Sequence, residues 1–157
     1  MRPWLLVVAL ACLLLNGCRL ADTPPDLLDV LDLAPRSVDV GDQLEVIGAG
    51  FPEGRVGTVT FRGLVHRPGA SPEPLSLTVR AASTSRNRIT LDVTEELQGQ
   101  LCGVGRDARH TTFRGNLLVA FSPKQAGAPP ITGTLADVVL DVTPAPLEPE
   151  ASAALLM

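Results

Sequence analysis

Apolar side chains recur at every second position in one short run after another, and Gly, Pro or polar clusters close nearly every run. Leu44 and Val46 form one such set, Val59 and Phe61 another, and Leu75, Leu77 and Val79 a third. Ile89, Leu91 and Val93 continue the pattern, as do Leu117, Val119 and Phe121. A period of two places these side chains on one face of a pleated strand and their polar neighbours on the other. That is the signature of half-buried antiparallel strands. With a last long strand or strand pair from Ile131 to Val142, the number of strands reaches about seven or eight at the spacing of a β-sandwich. The expected fold class is therefore all-β, an antiparallel β-sandwich. Aromatic residues make up only 3% of the chain and Tyr is absent. Its core must be built from Val, Leu, Ile and Ala, with Phe51, Phe61, Phe113 and Phe121 as the few large fillers.

The punctuation predicts the connections. Leu27 to Leu33 is a mixed run that Ala34-Pro35 ends, and Ser37 to Gly41 reads as a turn. Gln43–Gly48 and Thr58–Arg62 read as the arms of a first hairpin, broken by Gly48-Ala49-Gly50-Phe51-Pro52. His66 to Pro74 is a proline-rich loop, and Ser83 to Asn87 a polar turn. Thr94-Glu95-Glu96-Leu97 predicts a single helical turn, with Thr94 as N-cap and acids in the first turn. Cys102 to Thr112 is a second long loop.

The segment from Leu33 to Gly63 resembles the opening of an IPT/TIG domain. The residues that carry the resemblance are Leu33-Ala34-Pro35, then Gly41-Asp42-Gln43-Leu44-Glu45-Val46-Ile47-Gly48-Ala49-Gly50-Phe51, then Val59-Thr60-Phe61-Arg62-Gly63. The resemblance implies an immunoglobulin-like antiparallel sandwich. It also implies a turn at Gly41-Asp42, core positions at Leu44 and Val46, and a bend at Gly48 and Gly50. Phe51 would plug the end of the sandwich, and Gly63 would let the chain turn after the third strand. The sequence around Cys102 to Arg109 and the final strand departs from that family's pattern.

The N-terminus carries a different signal. Arg2 precedes eleven apolar residues, Leu5 to Leu15, a length that fits the apolar region of an export signal and is short for a membrane-spanning helix. Leu15-Asn16-Gly17-Cys18 follows and resembles the lipobox of bacterial lipoproteins: an aliphatic residue, a tolerant position, a small residue and the Cys that takes the lipid. Asn16 stands where Ala or Ser is commoner. The resemblance implies a signal peptide over 1–17 and lipidation at Cys18. A proline-containing tether over 18–26 then leads to a β-domain over 27–143 and a Pro-rich tail over 144–157. Arg19 rather than Asp after Cys18 implies, by similarity to the sorting rule of bacteria with two membranes, an outer-membrane address. The apolar end, Ala153 to Met157, also allows the chain to be the front of a longer membrane protein.

Little in the sequence points to bond-making chemistry. The formal net charge is −4 and Lys124 is the only lysine, so neither nucleic-acid binding nor a polybasic membrane patch is expected. No metal-ligand spacing, phosphate cradle or nucleophile elbow occurs, and no cofactor is expected. Asp39 and Asp42 read as turn residues rather than a calcium pair. Cys102 reads first as a small buried hydrophobe. An intermolecular bridge or a nucleophile beside His110 are the alternatives. Arg106, Arg109, His110 and Arg114 form the one local positive cluster, a solvated loop or a contact patch for an anionic partner. His66 and Arg67, with Arg106, Arg109 and His110, are the candidate binding residues because long loops carry function more often than strands. The expectation is thus a non-catalytic envelope lipoprotein, held to the membrane by its lipid, with an envelope protein or glycan as partner. The alternatives are a sensory or tethering front end of a longer protein and an enzyme with a site near Cys102 and His110.

Overall fold

The structure, a computed structural model, describes residues 28–123 and 126–145. The expectations for the signal peptide, Leu15, Asn16, Gly17, Cys18, the tether and the tail beyond residue 145 lie outside these residues. Eight strands are present: β1 (Asp29–Ala34), β2 (Ser37–Val38), β3 (Gln43–Ala49), β4 (Val56–His66), β5 (Glu73–Ser85), β6 (Arg88–Asp92), β7 (Thr111–Phe121) and β8 (Ile131–Val142). One helix, α1 (Glu95–Cys102), and a 3-10 turn at Gly105–Asp107 lie between β6 and β7. The all-β class and the expected number of strands are both observed.

The strands follow the order β1-β3-β6-β5-β4-β7-β8-β2 in one continuous ladder. Every pairing is antiparallel except that of β2 with β8, which is parallel. Two segments tie the halves of the ladder together. β5 pairs with β4 from Glu73 to Ala82 and with β6 from Ala82 to Ser85. The β1–β2 segment pairs first with β3 and then with β8. Here the Asp141 N–H donates to the Arg36 carbonyl at 2.8 Å, and the Thr143 N–H to the Val38 carbonyl at 3.0 Å. The two ends of the sheet also approach each other. A Cβ placed on Gly133 of β8 would lie 2.6 Å from the Leu28 carbonyl oxygen and 2.9 Å from Val30 Cγ2. The sheet therefore curls nearly closed around Leu33, Leu44, Val46, Phe61, Phe113, Leu117, Val119 and Leu140, all fully buried. Such side chains each contribute roughly 1.5–3 kcal/mol by leaving water.

The predicted inward positions hold, but the connections differ. β3 and β4 do not form a hairpin; β3 pairs with β1 and β6, β4 with β5 and β7. The chain between them crosses from one half to the other, which local alternation does not encode. Ser37 and Val38 are a strand, so the turn begins at Asp39, whose N–H donates to the Asp42 carboxylate at 2.8 Å. β3 continues through Gly48 to Ala49. Ser83 to Ser85 belongs to β5, because the buried Ser83 hydroxyl is satisfied by the Ser85 carbonyl at 2.9 Å.

Bulges explain the runs that defied a single period. In β1 the register shifts between Val30 and Asp32, leaving Leu31 exposed while Leu28, Val30 and Leu33 face inward. In β8 it shifts opposite Asn116, where Asp137 takes φ 55°. The inward set of Ile131, Gly133 and Leu135 thereby resumes in phase at Val138, Leu140 and Val142. The last segment is one bulged strand.

Gly63 is not at a turn. It sits mid-strand in β4, directly opposite Gly115 of β7. A Cβ on Gly63 would lie 2.1 Å from the Arg114 carbonyl oxygen and 2.6 Å from Gly115 Cα. One on Gly115 would lie 2.2 Å from the Arg62 carbonyl oxygen. The two strands approach here more closely than any side chain permits.

α1 is longer than the single turn expected. Thr94 caps it as predicted, its hydroxyl accepting the Leu97 N–H at 3.2 Å, and Glu95 and Glu96 occupy the first turn. Leu97, Leu101 and Cys102 are buried and carry the helix on against the ends of β7 and β8. Thr94→Ala removes the cap and should lower unfolding free energy by about 1 kcal/mol, read by urea denaturation.

Candidate functional site

Inward and outward residues alternate cleanly along β4, β5 and β7, so the register fixes which outer side chains are neighbours. Arg62 of β4 stands opposite Ser76 of β5 and Asn116 of β7. Arg80 of β5 stands opposite Thr58, and Arg114 of β7 opposite Leu64. Between them Thr60, only 8% exposed although on the outer side, shares a hydroxyl contact with Thr78 at 2.9 Å. All three arginines are exposed, and among the described residues none has a hydrogen bond or ion pair.

Most other arginines are engaged. Arg36 pairs with Asp32, Arg67 with Glu73 and Arg88 with Glu45 at 3.2 Å. Acids gather on the outer side of the other half of the ladder, with Asp32 on β1, Glu45 on β3 and Asp92 on β6. On the arginine side, acids occur only on the bordering strand β8 among the described residues of β4, β5, β7 and β8, apart from Glu73 in its pair with Arg67. There Asp141 accepts the Thr112 hydroxyl at 2.6 Å, and Asp137 sits at the bulge. Arg62, Arg80 and Arg114 thus stand on β4, β5 and β7, away from the acids of β1, β3 and β6.

At the Arg80 end the face runs into a cleft of about 330 Å³ lined by Val56, Gly57, Thr58, Arg80, Ala120 to Pro123 and Pro130. Beside it, Arg55 donates Nη2 to the Ser122 carbonyl at 2.8 Å, while its buried Nη1 has no hydrogen-bond partner.

The residues expected to bind divide. His66 closes β4 and is half-buried rather than in a loop. Arg67 is a bracing residue, donating to Glu73 and, at 2.9 Å, to the Leu101 carbonyl at the end of α1. Arg106 and His110 are exposed, whereas Arg109 turns its guanidinium onto the carbonyls of Arg106 at 2.8 Å and Ala108 at 2.9 Å. Arg114 leaves that cluster for the sheet face. Arg62 and Arg80 were not among the expected binding residues. Alternation placed them outward, but only the register brings them to one face with Arg114.

Cys102 is 1% exposed, and its thiol donates to the Val142 carbonyl at 3.3 Å, not to His110. Burial raises its pKa above the ordinary thiol value of 9.0, partly opposed by the Thr111 hydrogen bond and the Arg67 charge. A reactive thiolate needs the opposite environment. Because the folded state holds this proton more tightly, its contribution is intact below pH 9.0 and is lost as pH rises through that value toward the folded pKa. The urea midpoint should therefore fall on the alkaline side of that value, and Cys102→Ala should remove part of the fall. Equal slopes in the two proteins would count against this assignment.

Among the described residues no group of three or more His, Cys, Asp or Glu side chains is placed to hold a metal ion. Nor, among them, is any helix long and apolar enough to cross a membrane. The sequence matches no protein-family model, and neither a curated protein nor a solved structure is found to be similar to the chain.

Proposed function

We propose that the chain is a cell-envelope lipoprotein, lipidated at Cys18 and addressed to the outer membrane, that presents an immunoglobulin-like β-sandwich as a non-catalytic binding or structural module. The observation that carries the module reading is the face of unpaired arginines on a domain most of whose other described arginines are engaged in ion pairs or hydrogen bonds. Exposed arginines that find no partner within the domain leave their guanidinium forks open to an anionic partner outside it. The sandwich reading draws support from the two segments that change partners, β5 and the β1–β2 segment, since strands that switch partners are how a ladder can be split into two packed layers. The anchor reading draws support from Leu15-Asn16-Gly17-Cys18 after its apolar run. Cys102 is committed to the core and Cys12 lies inside the apolar run, which leaves Cys18 as the thiol for acylation. Acyl chains contribute about 0.8 kcal/mol per buried methylene, and more than one chain holds a protein firmly at a bilayer surface.

Intact mass and membrane fractionation of the natively expressed protein test the anchor. The expected result is a chain that begins at an acylated Cys18 and sediments with the outer membrane. Cys18→Ala should abolish both processing and attachment. Unchanged mass and attachment in that variant would refute the lipoprotein assignment.

A further inference from the structure

We infer that the outer face of β5, β4 and β7 binds a linear polyanionic glycan, a sugar chain bearing carboxylate or phosphate groups along its length, laid across Arg114, Arg62 and Arg80. This deepens the module reading and rests on it, but it does not depend on the lipid anchor. The register orders the three arginines monotonically. Arg114 lies one strand and one outward position from Arg62, and Arg80 lies one strand and two outward positions beyond it on the opposite side. With strands about 4.8 Å apart and a rise of about 3.4 Å per residue, these steps are about 8 Å and about 14 Å. The charges form a diagonal stripe of roughly 20 Å, too long to converge on one small anion and suited to a chain that repeats its charge.

The chemistry of the stripe agrees with its geometry. Arginine offers a planar fork that takes a carboxylate or phosphate through two parallel hydrogen bonds, and it is less strongly hydrated than lysine. Ser76, Thr78 and Asn116 are exposed beside the stripe and supply hydroxyl and amide groups for a polyhydroxylated chain. The cleft at the Arg80 end gives such a chain a place to seat a terminal unit. A lipid surface is the poorer fit. Interfacial binding needs an apolar face to sink among the acyl chains, and the two large hydrophobic residues exposed on the outer side of β4, Val56 (54%) and Leu64 (43%), stand at opposite ends of the strand and form no patch. An acidic partner is required in either case, because the face carries no acid on its three central strands beyond the paired Glu73.

Calorimetry of the full chain in a non-ionic detergent, with polygalacturonate as probe, tests the inference. Neutral dextran and mixed micelles of the same detergent with phosphatidylglycerol serve as comparators. Binding to polygalacturonate is expected at low salt, with loss near 1 M salt, where the screening length is about 3 Å. Each exposed ion pair is worth a factor of about two to five, so the triple variant Arg62→Gln, Arg80→Gln, Arg114→Gln should bind at least about tenfold more weakly. A triple variant with the same net charge change elsewhere, Arg36→Gln, Arg86→Gln, Arg88→Gln, should bind as the parent does. Equal losses in the two triples would mean that net charge alone attracts the probe, and would overturn the site. Binding to phosphatidylglycerol that the Arg62, Arg80, Arg114 triple variant loses, without binding to polygalacturonate, would reassign the face to lipid. Absence of binding to any probe, in a protein that still fractionates as a lipoprotein, would overturn the ligand class and leave the anchor standing.

Discussion

Gly63→Ala and Gly115→Ala should each destabilise the domain by about 3 kcal/mol or more, and Gly63→Val should leave it unfolded. The added Cβ on either residue meets backbone, not the end of a flexible side chain. On Gly63 it meets the Arg114 carbonyl oxygen at 2.1 Å, on Gly115 the Arg62 carbonyl oxygen at 2.2 Å. Relief requires β4 and β7 to separate, and both strands are paired along most of their length and carry Phe61 and Phe113 into the core. A domain of this size typically holds only about 5–15 kcal/mol in reserve, so the loss is a large fraction of the whole. Urea denaturation followed by circular dichroism measures it. A Gly63→Ala variant within about 0.5 kcal/mol of the parent would mean the strands can part cheaply at this point, contrary to the packing described.

The second large effect lies in the same two strands. Phe61 and Phe113 are fully buried and meet edge to face, with ring centroids 5.6 Å apart and planes at 84°. Truncating either to Ala should cost about 3–5 kcal/mol, from lost burial and the cavity that remains. Few other side chains are large enough to refill the space, since Phe51 and Phe121 pack against each other, with ring centroids 6.4 Å apart. In a double-mutant cycle the two truncations should be less than additive by about 0.5–1.5 kcal/mol, the worth of the edge-to-face contact beyond its area. Full additivity would show that the rings act separately. A change in the denaturant slope, and not only in the midpoint, would show that the unfolded or native ensemble had shifted instead.

Much of the fold was legible in the sequence because burial imposes a period of two. Leu44, Val46, Val59, Phe61, Leu77, Leu117, Val119 and Phe121 all face inward as their alternation requires. Thr94 was legible as a cap because its hydroxyl acts locally on the next turn. What escaped depends on partners distant in the chain. β3 and β4 are neighbours in sequence but lie in different halves of the ladder, and nothing in either strand names its partner. The bulges at Leu31 and Asp137 invert the phase of alternation, so the runs that contain them looked ambiguous. Gly63 resembled a turn residue because a glycine needed for close backbone approach looks the same as one needed for a bend. The candidate site escaped for the same reason. Arg62, Arg80 and Arg114 come from three strands; the sequence groups Arg114 with the loop cluster, and nothing local joins Arg62 and Arg80 to it. The loop cluster that was visible instead contains Arg109, whose guanidinium serves its own loop.

The pairing of β2 with β8 bears on how the domain would carry tension. The strands run parallel, so a pull that enters through β1 and leaves at Pro144 drags them in opposite directions along a common axis. The bonds from Asp141 to Arg36 and from Thr143 to Val38 then stretch together, whereas the rungs of a hairpin opened from its free end yield one at a time. Forced unfolding is governed by the rate of crossing the unfolding barrier and not by equilibrium stability. A short strand that adds little to the melting point can therefore set the force at which the whole domain lets go.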